Sequence, residues 1–181
     1  MDWQLNNIID MASVNRHIEG DTNIVLVEVL SGVTIETGDL IFLDNSDDLR
    51  DDGSSTANNY GYPLEYLRIS GSSLELNKVQ VKSKFLGVAM DDKDGIDGAN
   101  NLKIPVATFG KFKFDLKPSK TVNVGDMFGA SGTTSASDMY NQKVAKTTDS
   151  TKALGYFAEN KTHAISAEVF IKPAFGAGKQ I

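Results

Sequence analysis

The chain contains no cysteine. That excludes a disulfide scaffold, a thiolate zinc site and thiol catalysis together. It has only two histidines, His17 and His163, too few for a multi-histidine metal centre. His163 opens a β run and reads as a strand-edge residue, and His17 beside Arg16 reads as a surface or contact residue. No apolar run approaches the ~20 residues of a membrane span. Residues 1–20 lack the basic-then-apolar order of a signal peptide, so a soluble chain without an export address is expected. Basic residues are also short, 18 Lys and Arg against 24 Asp and Glu for a net charge of -6, which argues against binding nucleic acid through its phosphates. Gly-x-Ser-x-Gly elbows and Gly-Lys-Ser/Thr phosphate loops are missing, and no motif fixes a working carboxylate pair among the acids. The expectation is a non-enzyme with no catalytic residue and no cofactor.

What is present suits a β protein. At 181 residues the chain buries roughly 70% of its unfolded surface, enough for one domain or two small ones around a shared core. Its 16 glycines punctuate short runs rich in Val, Ile, Phe and Thr, the pattern of an all-β fold. Residues 24–30 (IVLVEVL) form a continuous apolar run that predicts a strand buried on both faces. Residues 39–44 predict the next strand, 65–76 two strands joined by a Ser-Gly-Ser-Ser turn, and 78–90 a further extended stretch. In 111–116, Phe112, Phe114 and Leu116 alternate with Lys111, Lys113 and Asp115, and in 164–171 Ile165, Ala167, Val169 and Ile171 share one parity. Both predict half-buried strands. Helical spacing occurs only near the start, at Leu5, Ile8, Ile9 and Ala12. Residues 53–62 and 131–139 read as exposed loops.

The chain also resembles itself. TGDLIFL at 37–43 is answered by VGDMFGA at 124–130, and KFLGVAMDD at 84–92 by KALGYFAEN at 152–160, in the same order. Ile35 and Val122 each stand three positions before the Gly-Asp pair. This predicts two copies of one unit, about 24–110 and about 111–175, within a β domain at 21–181 that follows an N-terminal arm at 1–20. Gly38-Asp39 and Gly125-Asp126 read as structural turns, with glycine supplying the backbone freedom and aspartate fixing the turn. Gly87 and Gly155, inside strands, suggest a bulge or a close backbone crossing, as in a small barrel. Gly38 to Gly87 spans 49 residues and Gly125 to Gly155 only 30, so copy one carries about 19 extra residues, placed within 44–80. About seven more fall near 91–101. Both insertions hold acidic segments, 44–52 (DNSDDLRDD) and 91–97 (DDKDGID), while the rest of the chain is close to neutral. Asp92 and Asp94 on alternate residues, with Asp97 just past Gly95, gather carboxylates around a glycine turn, a weak calcium candidate that lacks the later bidentate Glu of an EF-hand. Solvated spacer loops remain the simpler reading.

With these blocks laid end to end, the sequence resembles the capsid cement, or decoration, proteins of tailed bacteriophages. The resemblance lies in Gly38-Asp39 and in residues 86–89 (LGVA), 106–112 (VATFGKF), 124–128 (VGDMF), 154–156 (LGY) and 169–172 (VFIK), over roughly 24–172. It implies a compact β-barrel-like or tulip-like domain that binds the major capsid protein on the outer surface of the expanded head. Such a protein would be a structural component of the virion, assemble as a homo-oligomer with a trimer favoured, and stabilise the capsid against internal pressure. The insertion at 44–80 and the arm depart from the pattern. Trp3, Leu5, Ile8, Ile9 and Met11 give that arm more apolar surface than a free segment can leave in water; it reads as the partner-binding element, docking on a neighbouring copy or the capsid with Trp3 as the anchor, and the competing reading is a strand or helix folded back on its own barrel. The alternative is a carbohydrate- or cell-surface-binding β module, such as a head-fibre or receptor-binding piece. Its aromatic platform would be Tyr60, Tyr62 and Tyr66.

Overall fold

A computed structural model describes residues 17–19, 22–44, 60–66, 73–95, 102–133 and 139–172, with backbone alone at 17–19 and 117–119. The fold is all-β, a closed five-stranded barrel joined to a second, antiparallel sheet. The first sheet holds β2 (Ile24–Val29), β3 (Leu40–Asp44), β4 (Tyr60–Pro63), β5 (Phe85–Ala89) and β6 (Leu102–Ala107), in the order β2-β6-β5-β3-β4. The barrel holds β7 (Gly110–Val122), β8 (Met127–Gly132), β9 (Met139–Lys146), β10 (Gly155–Phe157) and β11 (Lys161–Ile171), in the order β7-β11-β10-β8-β9. Parallel pairing of β9 with β7, Asp115 opposite Lys143 and Leu116 opposite Val144, closes the ring. Read from its first strand, each sheet places its five strands in the same order. A short strand, β1 (His17–Glu19), pairs with β7 at Lys111 and Phe112, outside the ring.

Alternation drives the core. Phe112, Phe114 and Leu116 of β7 are buried and Lys113 between them is exposed. Phe112 and Phe114 lie ring to ring at 6.4 Å, and Phe128 meets Phe157 at 5.9 Å. Each such side chain contributes roughly 1.5–3 kcal/mol by leaving water. The first sheet curls until β4 meets β2, where a Cβ on Gly61 would lie 2.7 Å from Val27 Cγ1.

Four local expectations are corrected. Residues 60–62, expected at the end of an exposed loop, belong to the buried strand β4, paired with β3. Residues 74–84 form a helix, α1 (Leu74–Lys84), where strands were expected, and Leu64–Tyr66 is a 3-10 turn. Ser73 caps α1 by accepting the Leu76 N–H, Glu75 sits in the first turn and Lys82 and Lys84 in the last, complementing the helix dipole. The run 24–30 is not buried on both faces: Val27 and Val29 point inward, while Ile24 and Leu26 are 54% and 68% exposed. Ile165 is exposed as well, because β11 shifts register around Ala164 and a bulge reverses the parity of the residues before it. His163, in that irregular stretch, has φ 52°.

Both Gly-Asp turns are built alike. Gly38 and Gly125 take φ of 96° and 87°, in the left-handed region that glycine enters without strain. The Gly38 N–H donates to Ala89 O at 2.9 Å, and the Gly125 N–H to Phe157 O at 3.0 Å. Asp39 Oδ2 accepts the Glu36 N–H at 2.9 Å and Asp126 Oδ2 the Asn123 N–H at 2.8 Å. Ile35 and Val122, just upstream, are both buried.

Candidate functional site

The two β units meet at Asp39. Its side chain is 2% exposed and lies under β9, whose Gln142 Nε2 donates to Asp39 Oδ1 at 3.0 Å and reaches Glu36 Oε2 at 3.3 Å. One residue away, Asn141 Oδ1 accepts the Glu65 N–H at 2.8 Å. Burial pushes the Asp39 carboxyl up from 3.8 to about 6, against hydrogen bonds from Glu36 N–H and Gln142 that pull it down. Asp126 occupies the matching turn with the opposite electrostatics. Lys146 Nζ stands 2.6 Å from it, and that hydrogen bond holds the carboxyl below its usual range.

Asp92, of the calcium candidates, is engaged in a turn. Its Oδ1 accepts both the backbone N–H of Thr37 at 2.6 Å and the Thr37 hydroxyl at 2.8 Å, which lowers its pKa. Next to it Lys93 is buried, its ammonium donating to Val33 O at 2.9 Å and Asp94 O at 3.2 Å. Asp97 lies outside the described residues, among which no group of three or more His, Asp or Glu could hold a metal ion. Asp92→Ala should therefore lower stability only slightly, by no more than about 1 kcal/mol for an exposed hydrogen-bonded carboxylate. Millimolar calcium or a chelator should leave both wild type and variant unchanged. A calcium-dependent rise in wild type that vanishes in Asp94→Ala would instead make 91–97 a metal site.

The outer face of the barrel carries an apolar row. Phe170 of β11 stands in register between Lys111 of β7 and Tyr156 of β10, and Tyr156 is opposite Met127 of β8. Phe170 and Tyr156 are 44% and 41% exposed. Lys111 is held by Glu168 at 2.6 Å, and β1 brings Glu19 opposite it in register. On the first sheet, exposed Leu26 faces Pro105 across β2 and β6, and Glu28 faces Lys103. The sequence signal for the barrel row was the polar parity of 164–171, where Phe170 is the one large apolar residue among its neighbours.

Tyr60 and Tyr62 form no exposed platform. Both are buried, with the Tyr62 ring 5.8 Å from Phe42 and 6.0 Å from Tyr66. The arm residues Trp3, Leu5, Ile8, Ile9 and Met11 lie outside the described residues. A cavity of about 290 Å³ runs along the seam between α1 and the barrel, lined among others by Lys78, Lys146, Lys152, Glu75 and Asp149. Its charges are matched: Lys152 meets Glu75 at 2.7 Å and Asp149 at 2.9 Å, and Lys78 meets Glu75 at 2.8 Å. This network fastens α1 to the barrel.

The chain matches no protein-family model, and no curated protein sequence matches it.

Proposed function

We propose that the protein works by binding, as a decoration protein on the outer surface of a tailed-phage head, where it contacts the major capsid protein and stabilises the mature shell. One observation carries the reading. The blocks behind the resemblance, Gly38-Asp39 with 86–89 and Gly125-Asp126 with 154–156, form the same hydrogen-bonded frame in both units, so the likeness rests on the residues that build the fold rather than on scattered surface positions. On the same ground we read the two units as copies of one ancestral unit, the first enlarged by α1 and its flanking loops. The apolar row along Phe170, Tyr156 and Met127 offers contact area of the kind that interfaces use. A homo-oligomer, with a trimer favoured, is part of the proposal.

In this reading the N-terminal arm docks on the capsid or on a neighbouring copy, with Trp3 as its anchor. The protein should co-purify with expanded heads and be absent from compact procapsids. Deleting residues 2–14 should leave the melting temperature of the isolated protein within about 2 °C while head binding falls at least tenfold, since a docking arm contributes to the partner's interface rather than to the core. Unfolding of the truncated protein, or full decoration by it, would overturn the arm assignment.

A further inference from the structure

Leu26 and Ile24 of β2 point outward, opposite Pro105 and Ala107 of β6. The ladder runs on to Thr108, whose N–H donates to Asn23 O at 2.7 Å. Strand alternation then places Phe109, exposed and two residues past Ala107, on the face of Ile24 and Leu26. Gly110 and Phe112 are buried, which keeps Lys111 on that same face, and Lys111 stands opposite Phe170. The Lys111 ammonium is drawn to Glu168, whose register partner Lys113 lies on the far side of Lys111 from Phe109. Phe109 and Phe170 are thus left as diagonal neighbours. Leu26, Ile24, Phe109, Phe170 and Tyr156 form one apolar band that crosses both units, a contiguous patch of the kind that marks an interaction site. The charges along its border pair with each other, Glu28 with Lys103 and Lys111 with Glu168. Such a band suits an occupant that is apolar and carries little charge.

Residues 3–9 (WQLNNII) have that composition, with no charge and with Trp3, Leu5, Ile8 and Ile9. The direction of β1 says which copy they reach. β1 is antiparallel to β7, with Glu19 opposite Lys111 and His17 opposite Phe112, so the chain enters β1 from the end away from Phe109, Ile24 and Leu26. The band of the same copy lies behind it. The fourteen residues from Trp3 to His17 can span up to about 50 Å, enough to cross to an adjoining molecule. We propose that residues 3–14 of one copy lie across Leu26, Phe109 and Phe170 of a second copy, an exchange in which each chain gives one arm and receives another. Such a contact is heterologous and closes into a ring where the rotation between copies permits. The inference rests on the arm being the binding element, as in the reading above, and not on the partner being a capsid.

Sedimentation of the isolated protein, without heads, tests the exchange. Wild type should form oligomers, and deletion of residues 2–14 should leave monomers. Leu26→Ser combined with Phe109→Ser should weaken association about 100-fold or more, since a few apolar anchors carry most of a contact's energy. Mixing the truncated chain with this band variant should give one-to-one dimers, because the first supplies an intact band and the second an intact arm. At dilutions where wild type is itself monomeric, the truncated chain should melt as wild type does. Should the band variant fail to fold, isotope-labelled truncated chain mixed with unlabelled wild type decides, through intermolecular NOEs from the Trp3 ring to Phe109. A monomeric wild type, an oligomer that survives truncation, or a mixture of the two variants that stays monomeric would overturn the proposal. Oligomers of this kind that fail to bind heads would support the exchange and overturn the capsid reading alone, whereas a monomer that binds heads through its arm would do the reverse.

Discussion

Phe112→Asp should leave the protein unfolded at room temperature, while Lys113→Asp, one residue along the same strand, should cost about 1 kcal/mol or less. Phe112 is 1% exposed, packs on Phe114, and stands in register with Val169 of β11 and His17 of β1. Removing a buried phenylalanine costs roughly 3–5 kcal/mol by itself. An unpaired carboxylate left in its place adds several more, or must be protonated to stay. Against a typical total stability of about 5–15 kcal/mol, that is most or all of it. Lys113 points outward opposite Glu168, so the charge reversal creates an exposed like-charge pair across two strands, a matter of tenths of a kcal/mol up to about 1. Urea denaturation of the two variants checks this. Equal losses would mean that both side chains face the same environment and that the barrel wall is not the one described.

The strands legible from sequence were those whose pattern answers to one physical demand. In 111–116 the apolar and charged residues alternate without exception, and a half-buried strand is the arrangement that satisfies them. The Gly-Asp turns were legible because glycine at a positive φ and aspartate on a free N–H are local needs. Where a pattern served two demands the reading failed. Val79-Gln80-Val81 alternates like a strand, yet on α1 Val81 is buried and Val79 is half-exposed, and the Ser-Gly-Ser-Ser stretch read as a hairpin turn supplies the Ser73 cap. IVLVEVL was read as doubly buried because apolar residues on a surface and in a core look alike in a sequence. Ile165 was misplaced by a bulge, which no parity count anticipates.

The candidate site was less legible than the fold, for a related reason. Asp39 and Asp126 sit in matching dipeptides, and nothing within either turn says that one carboxylate will be buried and the other exposed to a lysine. The difference comes from β9, about a hundred residues after Asp39, which lays Gln142 on one turn and Lys146 on the other. The row along Phe170 and Tyr156 likewise exists only once β10 and β11 pair. Its members stand fourteen residues apart in the chain and opposite one another in the sheet.

Gly155→Ala and Gly87→Ala should each cost about 3 kcal/mol or more, although neither glycine has a positive φ that an alanine would resist. The reason is space. A Cβ on Gly155 would collide with the carbonyl oxygen of Phe170 and lie 2.7 Å from Phe128 Cε1, and a Cβ on Gly87 would collide with the carbonyl oxygen of Ala107. In each case the obstacle is backbone of the neighbouring strand, held in its ladder, so it cannot turn aside as a side-chain end could. Relief requires the strands to part, which breaks ladder hydrogen bonds and separates the buried residues beneath, and overpacking of that kind lies at the costly end of core substitutions. Gly32 provides the internal contrast. It has φ 85° and nothing within 4 Å of an added Cβ, so Gly32→Ala meets only the left-handed strain of about 1–2 kcal/mol. Chemical denaturation should therefore rank Gly155→Ala and Gly87→Ala well below Gly32→Ala in stability. If Gly32→Ala proved the most damaging of the three, the close strand approaches at Gly87 and Gly155 would be wrong, and with them the shared frame of the two units.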